Sequence, residues 1–165
     1  MNNYMEQSTA TSPYNMFLET LLRGRPALTA CITGNEGYEN LRGIAEFYAV
    51  PFGGVIVSTE VHGLPASDFY GMHIHEAGDC TIPFDKTGNH YNPGNVEHPN
   101  HAGDMPSLLG NNGYAWTVFY DARFTLDDIM EKSVVIHSMR DDFTSQPAGD
   151  SGAKLGCGVI MRCCG

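Results

Sequence analysis

From Pro26 onward, apolar side chains tend to return at every second position. Such alternation sends one set of side chains to a buried face and the other outward, which only an extended strand can do. PALTACIT places Leu28, Ala30 and Ile32 on one face, and Val55, Val57, Thr59 and Val61 alternate within GVIVSTEV. GIAEFYAV, FYGMHIH, YAWTVFY, SVVIHS and LGCGVIMR read as further strands. Nineteen glycines and nine prolines are scattered between these runs as punctuation. Pro51-Phe52-Gly53-Gly54 is a turn, and Asn111-Asn112-Gly113 is a hairpin signal. The reading is all-β: seven or eight short strands in an antiparallel sandwich or barrel.

Two long segments lack any period, one from about Glu76 to Leu109 and one from Met139 to Ala153. Connections that long inside a compact domain are usually functional or disordered. Helical spacing occurs in two places. Tyr14, Phe17, Leu18, Leu21 and Leu22 predict a short helix before Gly24, and Thr125-Leu126-Asp127-Asp128 predicts one turn before Lys132. Residues 1–13 are polar and read as disordered. The chain thus divides into an N-terminal extension, residues 1–24, and a β domain, residues 25–165. At 165 residues it is long enough to bury one real core.

The formal charge is −10. Nucleic acid and anionic membrane surfaces both reward a basic face, so neither is expected as a partner. An anionic substrate would need a local positive site to overcome the net field. No stretch has the length of a transmembrane helix, and the N-terminus carries no signal-peptide pattern, so the expected location is cytoplasmic. The five cysteines include no CxxC, which argues against a zinc ribbon or a thioredoxin motif. Cys163 and Cys164 read as a loose tail, and Cys31 as a small buried apolar residue.

The chemistry concentrates in the histidines. His73 and His75 are two apart in a strand, so they share a face and could grip one metal ion. A lone HxH is more often a pair of ordinary histidines. Here, however, six of the seven histidines lie in the first long loop, its entering strand or a later strand. His90, His98, His101 and Asp104 follow in the loop, and His137 sits in VVIHS. Three histidines and one aspartate suit a closed tetrahedral zinc site, whereas an all-histidine set suits copper. Only His62 stands apart, and it reads as structural or surface. Cupins also carry an HxH strand. Their first motif needs a glutamate a few residues after the second histidine, and their second needs Pro-x-Gly-x-x-His. Glu76 follows His75 at once and Pro93-Gly94 leads to His98 with a different spacing, so both motifs miss.

GMHIHEAGDC, GNHYNPGNVEHPNHAGDMP, VVIHSMRDD and GAKLGCGVI together resemble the copper/zinc superoxide dismutase family over about Pro26 to Arg162. The cysteine five residues after His75 resembles the bacterial members. The resemblance implies an eight-stranded Greek-key β-barrel that dismutates superoxide to dioxygen and hydrogen peroxide. A redox-cycling copper would be bridged through His90 to a structural zinc. Carried over residue by residue, His73, His75, His90 and His137 resemble the copper ligands, and His90, His98, His101 and Asp104 the zinc ligands. Asp141 matches the carboxylate that ties His73 to His98. Cys80 and Cys157 match the intrachain disulfide, which is unusual in a reducing cytosol. A homodimer is a candidate assembly.

The family carries an arginine three residues before the second disulfide cysteine; here that position is Lys154. The charge is kept and the planar fork is lost. Arg140 is as readily a loop residue as a helper, and Asp142 a surface acid. The loop between His137 and Cys157 is short for the family. A metal-binding relative without catalysis is the competing class, and the loss of a copper ligand would mark it. All four candidate ligands are present.

Overall fold

The computed structural model describes residues 12–163. Nine strands run in chain order as β1 (Leu28–Gly34), β2 (Arg42–Ala49), β3 (Val55–His62), β4 (Phe69–Tyr70), β5 (Met72–His75), β6 (Leu108–Leu109), β7 (Tyr114–Asp121), β8 (Ser133–His137) and β9 (Lys154–Arg162). Seven form one antiparallel sheet in the order β5-β8-β9-β1-β2-β3-β7, and β4 pairs with β6 beside it. The chain makes two successive hairpins, β1-β2-β3. It then crosses to the far edge as β5, returns as β7 next to β3, and crosses again as β8 between β5 and β9. These crossings give the expected Greek-key arrangement.

The strand count exceeds the expected eight for a local reason. FYGMHIH is divided at Gly71, whose N–H donates to Met139 O (2.7 Å) and whose carbonyl accepts from His137 N (2.8 Å). Leu108–Leu109, read as the end of the first loop, is a two-residue strand too short to carry a period.

Ile74 from one edge strand and Ala115 from the other belong to the same apolar cluster, with Phe47, Val57, Ile136 and Leu155 between them. The sheet therefore curls until both edges share one interior. Leu28, Ala30 and Ile32 face that interior as predicted. Cys31 does not: it is exposed, because the same alternation that buries its neighbours turns it outward. The expectation of a buried Cys31 is corrected by the period that was read correctly around it.

Every residue of β5 is buried. Met72 and Ile74 enter the barrel, while His73 and His75 take the outer face, which the first long loop covers. Tyr91 N donates to Ile74 O (2.8 Å), and Ile74 N donates to Gly103 O (2.8 Å). A Cβ at position 103 would lie 2.3 Å from Ile74 O, so the loop can approach this closely only through a glycine. The Cys80–Cys157 disulfide anchors the same loop to β9 across a separation of 77 residues, with Cα atoms 5.6 Å apart. Closing a loop of that length is worth roughly 4–5 kcal/mol in the chain-entropy account. Phe84 and Val135 pack beside it.

Helix α1 spans Pro13–Arg23, with the Ser12 side chain accepting from Asn15 N and proline in the first turn. Ser12 and Pro13 thus belong to the helix rather than to a disordered arm; residues 1–11 and Cys164 lie outside the described residues. Phe17 and Leu21 pack on Tyr48, Val50 and Ile56 of the outer sheet face, while Tyr14 and Leu22 remain exposed. Helix α2, Leu126–Ile129, is the predicted single turn, closed by a capping box between Thr125 and Asp128. No helix among the described residues is long and apolar enough to cross a membrane.

Candidate metal centre

Strand pairing aligns the donors before any loop is considered. His73 lies opposite Val135 on β8 and His75 opposite Ser133. Between β8 and β9 the register shifts after Ile136, so His137 faces Lys154 instead of Leu155. Such a bulge re-aims side chains locally. The first long loop then runs back along β5, where isolated bridges pair His75 with His90 and His73 with Asp104.

The result is two buried groups, His73-His75-His90-His137 and His90-His98-His101-Asp104. Within each, the candidate donor atoms all lie within 4.8 Å of one another. All eight sequence-predicted ligand positions are thereby brought together, with His90 counted in both groups. His62 is exposed and pairs with Glu60, as read. Arg140 lies away from both groups, in a separate surface cavity with Asp68 and Asp150.

The hydrogen bonds decide which ring nitrogens are left free. A carbonyl can only accept, so His75 Nδ1 donates to Gly88 O (2.9 Å) and His137 Nδ1 to Gly152 O (3.3 Å). Their Nε2 atoms are then bare and meet at 3.2 Å. His73 Nε2 is engaged by Asp141 Oδ2 (2.8 Å) and His98 Nε2 by Asp141 Oδ1 (2.9 Å). That leaves His73 Nδ1, His90 Nε2, His98 Nδ1 and His101 Nδ1 buried without a hydrogen-bond partner. His98 Nδ1 and His101 Nδ1 are close to the Asp104 carboxylate, at 3.1 and 3.3 Å, yet not aligned with it as hydrogen bonds. Two of these orphaned nitrogens, on His73 and His90, belong to the all-histidine group and two, on His98 and His101, to the group with Asp104, so each group offers buried, unpartnered donors that fit a cation.

His90 is the hinge of this arrangement. Its Nδ1 lies 2.7 Å from Asp104 Oδ1, and its Nε2 turns to the all-histidine group. The ring centroids of His73 and His98, one from each group, are 6.2 Å apart, and His90 lies 3.9 Å from His73 and 5.6 Å from His101, so the two groups are contiguous.

Burial pushes His73, His75 and His137 down, towards the neutral form that a metal requires. It drives His75 down to about 2 and His137 down to about 3, with neighbouring histidines and Lys154 adding to the effect. Burial would raise the Asp104 carboxyl, but the His90 hydrogen bond and nearby imidazole charges overcome it and hold Asp104 at about 2. The unfolded chain binds protons on these histidines below about pH 6.5 while the folded chain does not, so metal-free stability falls as the pH drops. The expected loss is up to roughly 1.4 kcal/mol per pH unit for each of the two histidines. Urea midpoints of the metal-free protein between pH 7 and pH 4.5 measure it, and a flat profile would contradict the burial argument.

Two side chains that sequence reading missed hold the loop backbone. Arg123 donates to His101 O (3.1 Å) and to Asp104 O, and pairs with Asp121. Gln146 exchanges two hydrogen bonds with the backbone of His98, at 2.7 and 3.0 Å. Neither carries a sequence signal, since both contacts join segments distant in the chain. Gly149, at φ +64, leaves room for the Asp141–His98 contact; a Cβ there would lie 2.0 Å from Asp141 Oδ1. Asp142 is the exposed neighbour expected and caps Thr144 and Ser145.

A cavity of about 520 Å³ opens onto His75, His90 and His137, with Lys154 at its edge. A curled antiparallel sheet carrying two buried donor groups that share one imidazole defines a dinuclear metalloprotein. The model of the family described as copper/zinc superoxide dismutase matches residues 41–160. The chain belongs to the copper/zinc superoxide dismutase family. Among its relatives, the Cu-Zn superoxide dismutase of Deinococcus radiodurans is 34% identical over 160 residues, covering 84% of this chain and 86% of that protein. Superoxide dismutase [Cu-Zn] A of Xenopus laevis is 30% identical, covering 81% and 96%. Among solved structures, a double mutant of a SOD-like protein from Bacillus subtilis aligns with a TM-score of 0.74 at 29% identity, covering 82% of this chain and 99% of that one. The clock protein EA4 aligns with the same TM-score at 31% identity, covering 84% and 96%.

Proposed function

We propose that this protein dismutates superoxide: two superoxide anions and two protons give one dioxygen and one hydrogen peroxide. His73, His75, His90 and His137 would hold copper, and His90, His98, His101 and Asp104 would hold zinc. Bound there, copper would supply reversible one-electron chemistry and zinc a fixed positive charge beside His90. The observation that carries this reading is the sharing of His90, with Nδ1 on the Asp104 side and an unpartnered Nε2 on the all-histidine side.

The protein's own residues do the rest. His90 lines the cavity, and its Nε2 is the atom able to take up and return a proton while Nδ1 stays engaged. Asp141 orients His73 and His98 at once, so the two groups share one support. Lys154 supplies the local positive charge that an anion needs in a chain of formal charge −10. Burial keeps His73, His75 and His137 unprotonated at neutral pH.

Metal analysis coupled to a superoxide-scavenging assay tests the proposal. One copper and one zinc per chain with rapid turnover is the expected result. Zinc alone, with no activity after copper is supplied, would overturn it in favour of a non-catalytic metal-binding relative. A homodimer and a cytoplasmic location belong to the same proposal. A monomer mass by light scattering removes the first, and recovery in an exported cell fraction removes the second.

A further inference from the structure

Lys154 does not reach freely into solvent. Its ammonium donates to Thr87 Oγ1 at 2.8 Å, with Phe84 O at 3.3 Å and Gly88 O at 3.5 Å. Only the hydroxyl contact is short. Thr87 is fully buried, and its own hydroxyl proton goes to Phe84 O (3.0 Å). The oxygen lone pairs are thereby turned towards Lys154 Nζ and towards His75 Nδ1, which lies 3.4 Å away. A single hydroxyl stands between the charge at the cavity edge and a histidine of the metal group.

We propose that Thr87 is the positioning residue that fixes the Lys154 ammonium beside the cavity, so that a lysine can attract a small anion to the metal group. The inference rests on the reading of Lys154 as the anion-attracting group. Its physical basis is the difference between the two basic side chains. An arginine presents a rigid planar fork, whereas a lysine is a point charge on a flexible four-carbon stem and needs an external acceptor to hold it. The surrounding frame is stiff enough for this. Asn35 Nδ2 donates to Pro83 O (3.2 Å) and to Lys154 O (2.9 Å), so one amide joins the loop to β9. The Cys80–Cys157 disulfide makes a second join nearby. The competing role for Thr87 is purely local: its N–H and hydroxyl both approach Phe84 O and close the single 3₁₀ turn at Asp85–Thr87. That role involves no partnership with Lys154.

Two measurements separate the roles. In the metal-free protein, the side-chain ammonium resonance of Lys154 is followed by ¹H–¹⁵N NMR. It should be protected from exchange in the wild type and in Thr87→Ser, and lost in Thr87→Val and in the smaller variant Thr87→Ala. In the copper- and zinc-loaded protein, azide is titrated as a small-anion probe. Thr87→Val should bind it about tenfold more weakly, the scale of one hydrogen bond to a charged group, and Thr87→Ser should restore binding. In a Lys154→Met background, Thr87→Val should change nothing further. Retention of the ammonium resonance in both Thr87→Val and Thr87→Ala overturns the proposal. So does an azide defect that persists in the Lys154→Met background. Should wild type and Lys154→Met bind azide alike, the anion role of Lys154 fails, while the resonance still decides whether Thr87 holds the ammonium.

Discussion

Replacing Lys154 with glutamate is expected to slow superoxide dismutation by about 10–10³-fold and to reverse its dependence on salt. The chain carries a formal charge of −10, so the net field repels an anion. Among the described residues lining the cavity, Lys154 is the one side chain with a fixed positive charge, and Glu76 shares that lining. A local cation in a low-dielectric cleft focuses the field over a few ångströms, where the distant acids are screened. Added salt should therefore slow the wild type by weakening this attraction. In Lys154→Glu it should speed the reaction by screening a repulsion. Lys154→Arg, which keeps the charge, should stay active. Rates of superoxide decay measured across ionic strength test the three proteins together, and an unchanged rate in Lys154→Glu would remove Lys154 from the mechanism.

The second large effect concerns Asp141. One carboxylate holds His73 Nε2 through Oδ2 and His98 Nε2 through Oδ1, while Oδ1 also accepts from Phe143 N at 2.7 Å. Asp141→Asn keeps the volume but turns an NH₂ donor towards one of two histidine N–H donors. One ring is then free to rotate or to change tautomer. Losing such a partner weakens metal binding by about 10–100-fold. Because Asp141 serves both groups, copper and zinc affinities should both fall, as chelator competition would record. Weakening of one metal alone would mean that the carboxylate supports only that group. No weakening of either would remove its positioning role.

Legibility followed the range of the interaction. The strands could be read because alternation is a local property. Leu28, Ala30 and Ile32 faced the core as their spacing required, and Cys31 faced outward for the same reason. The capped turn at Thr125 was legible for a similar cause, since its donors and acceptors are three residues apart. The two-residue strand Leu108–Leu109 was not, because a pair of residues carries no period. Arg123, Gln146 and Thr87 were missed because each acts on a segment brought near only by folding. The histidines could be gathered into a candidate set by type and position, and into two groups by resemblance. No spacing rule, however, could say which nitrogen of each ring stayed free.

By itself, the sequence determined that an antiparallel β domain would carry a paired-histidine strand with an apolar inner face, and that the remaining donors would lie on the first long loop, except His137 on a later strand. Composition and period suffice for that, since they act along the chain. His90 and Asp141 had these places only by resemblance; the tertiary structure decided which ring nitrogen and which carboxylate oxygen each presents, and that the shift after Ile136 sets Lys154 rather than Leu155 across from His137. Those outcomes depend on strand register and backbone carbonyl positions, which are fixed by pairings between residues far apart in the chain.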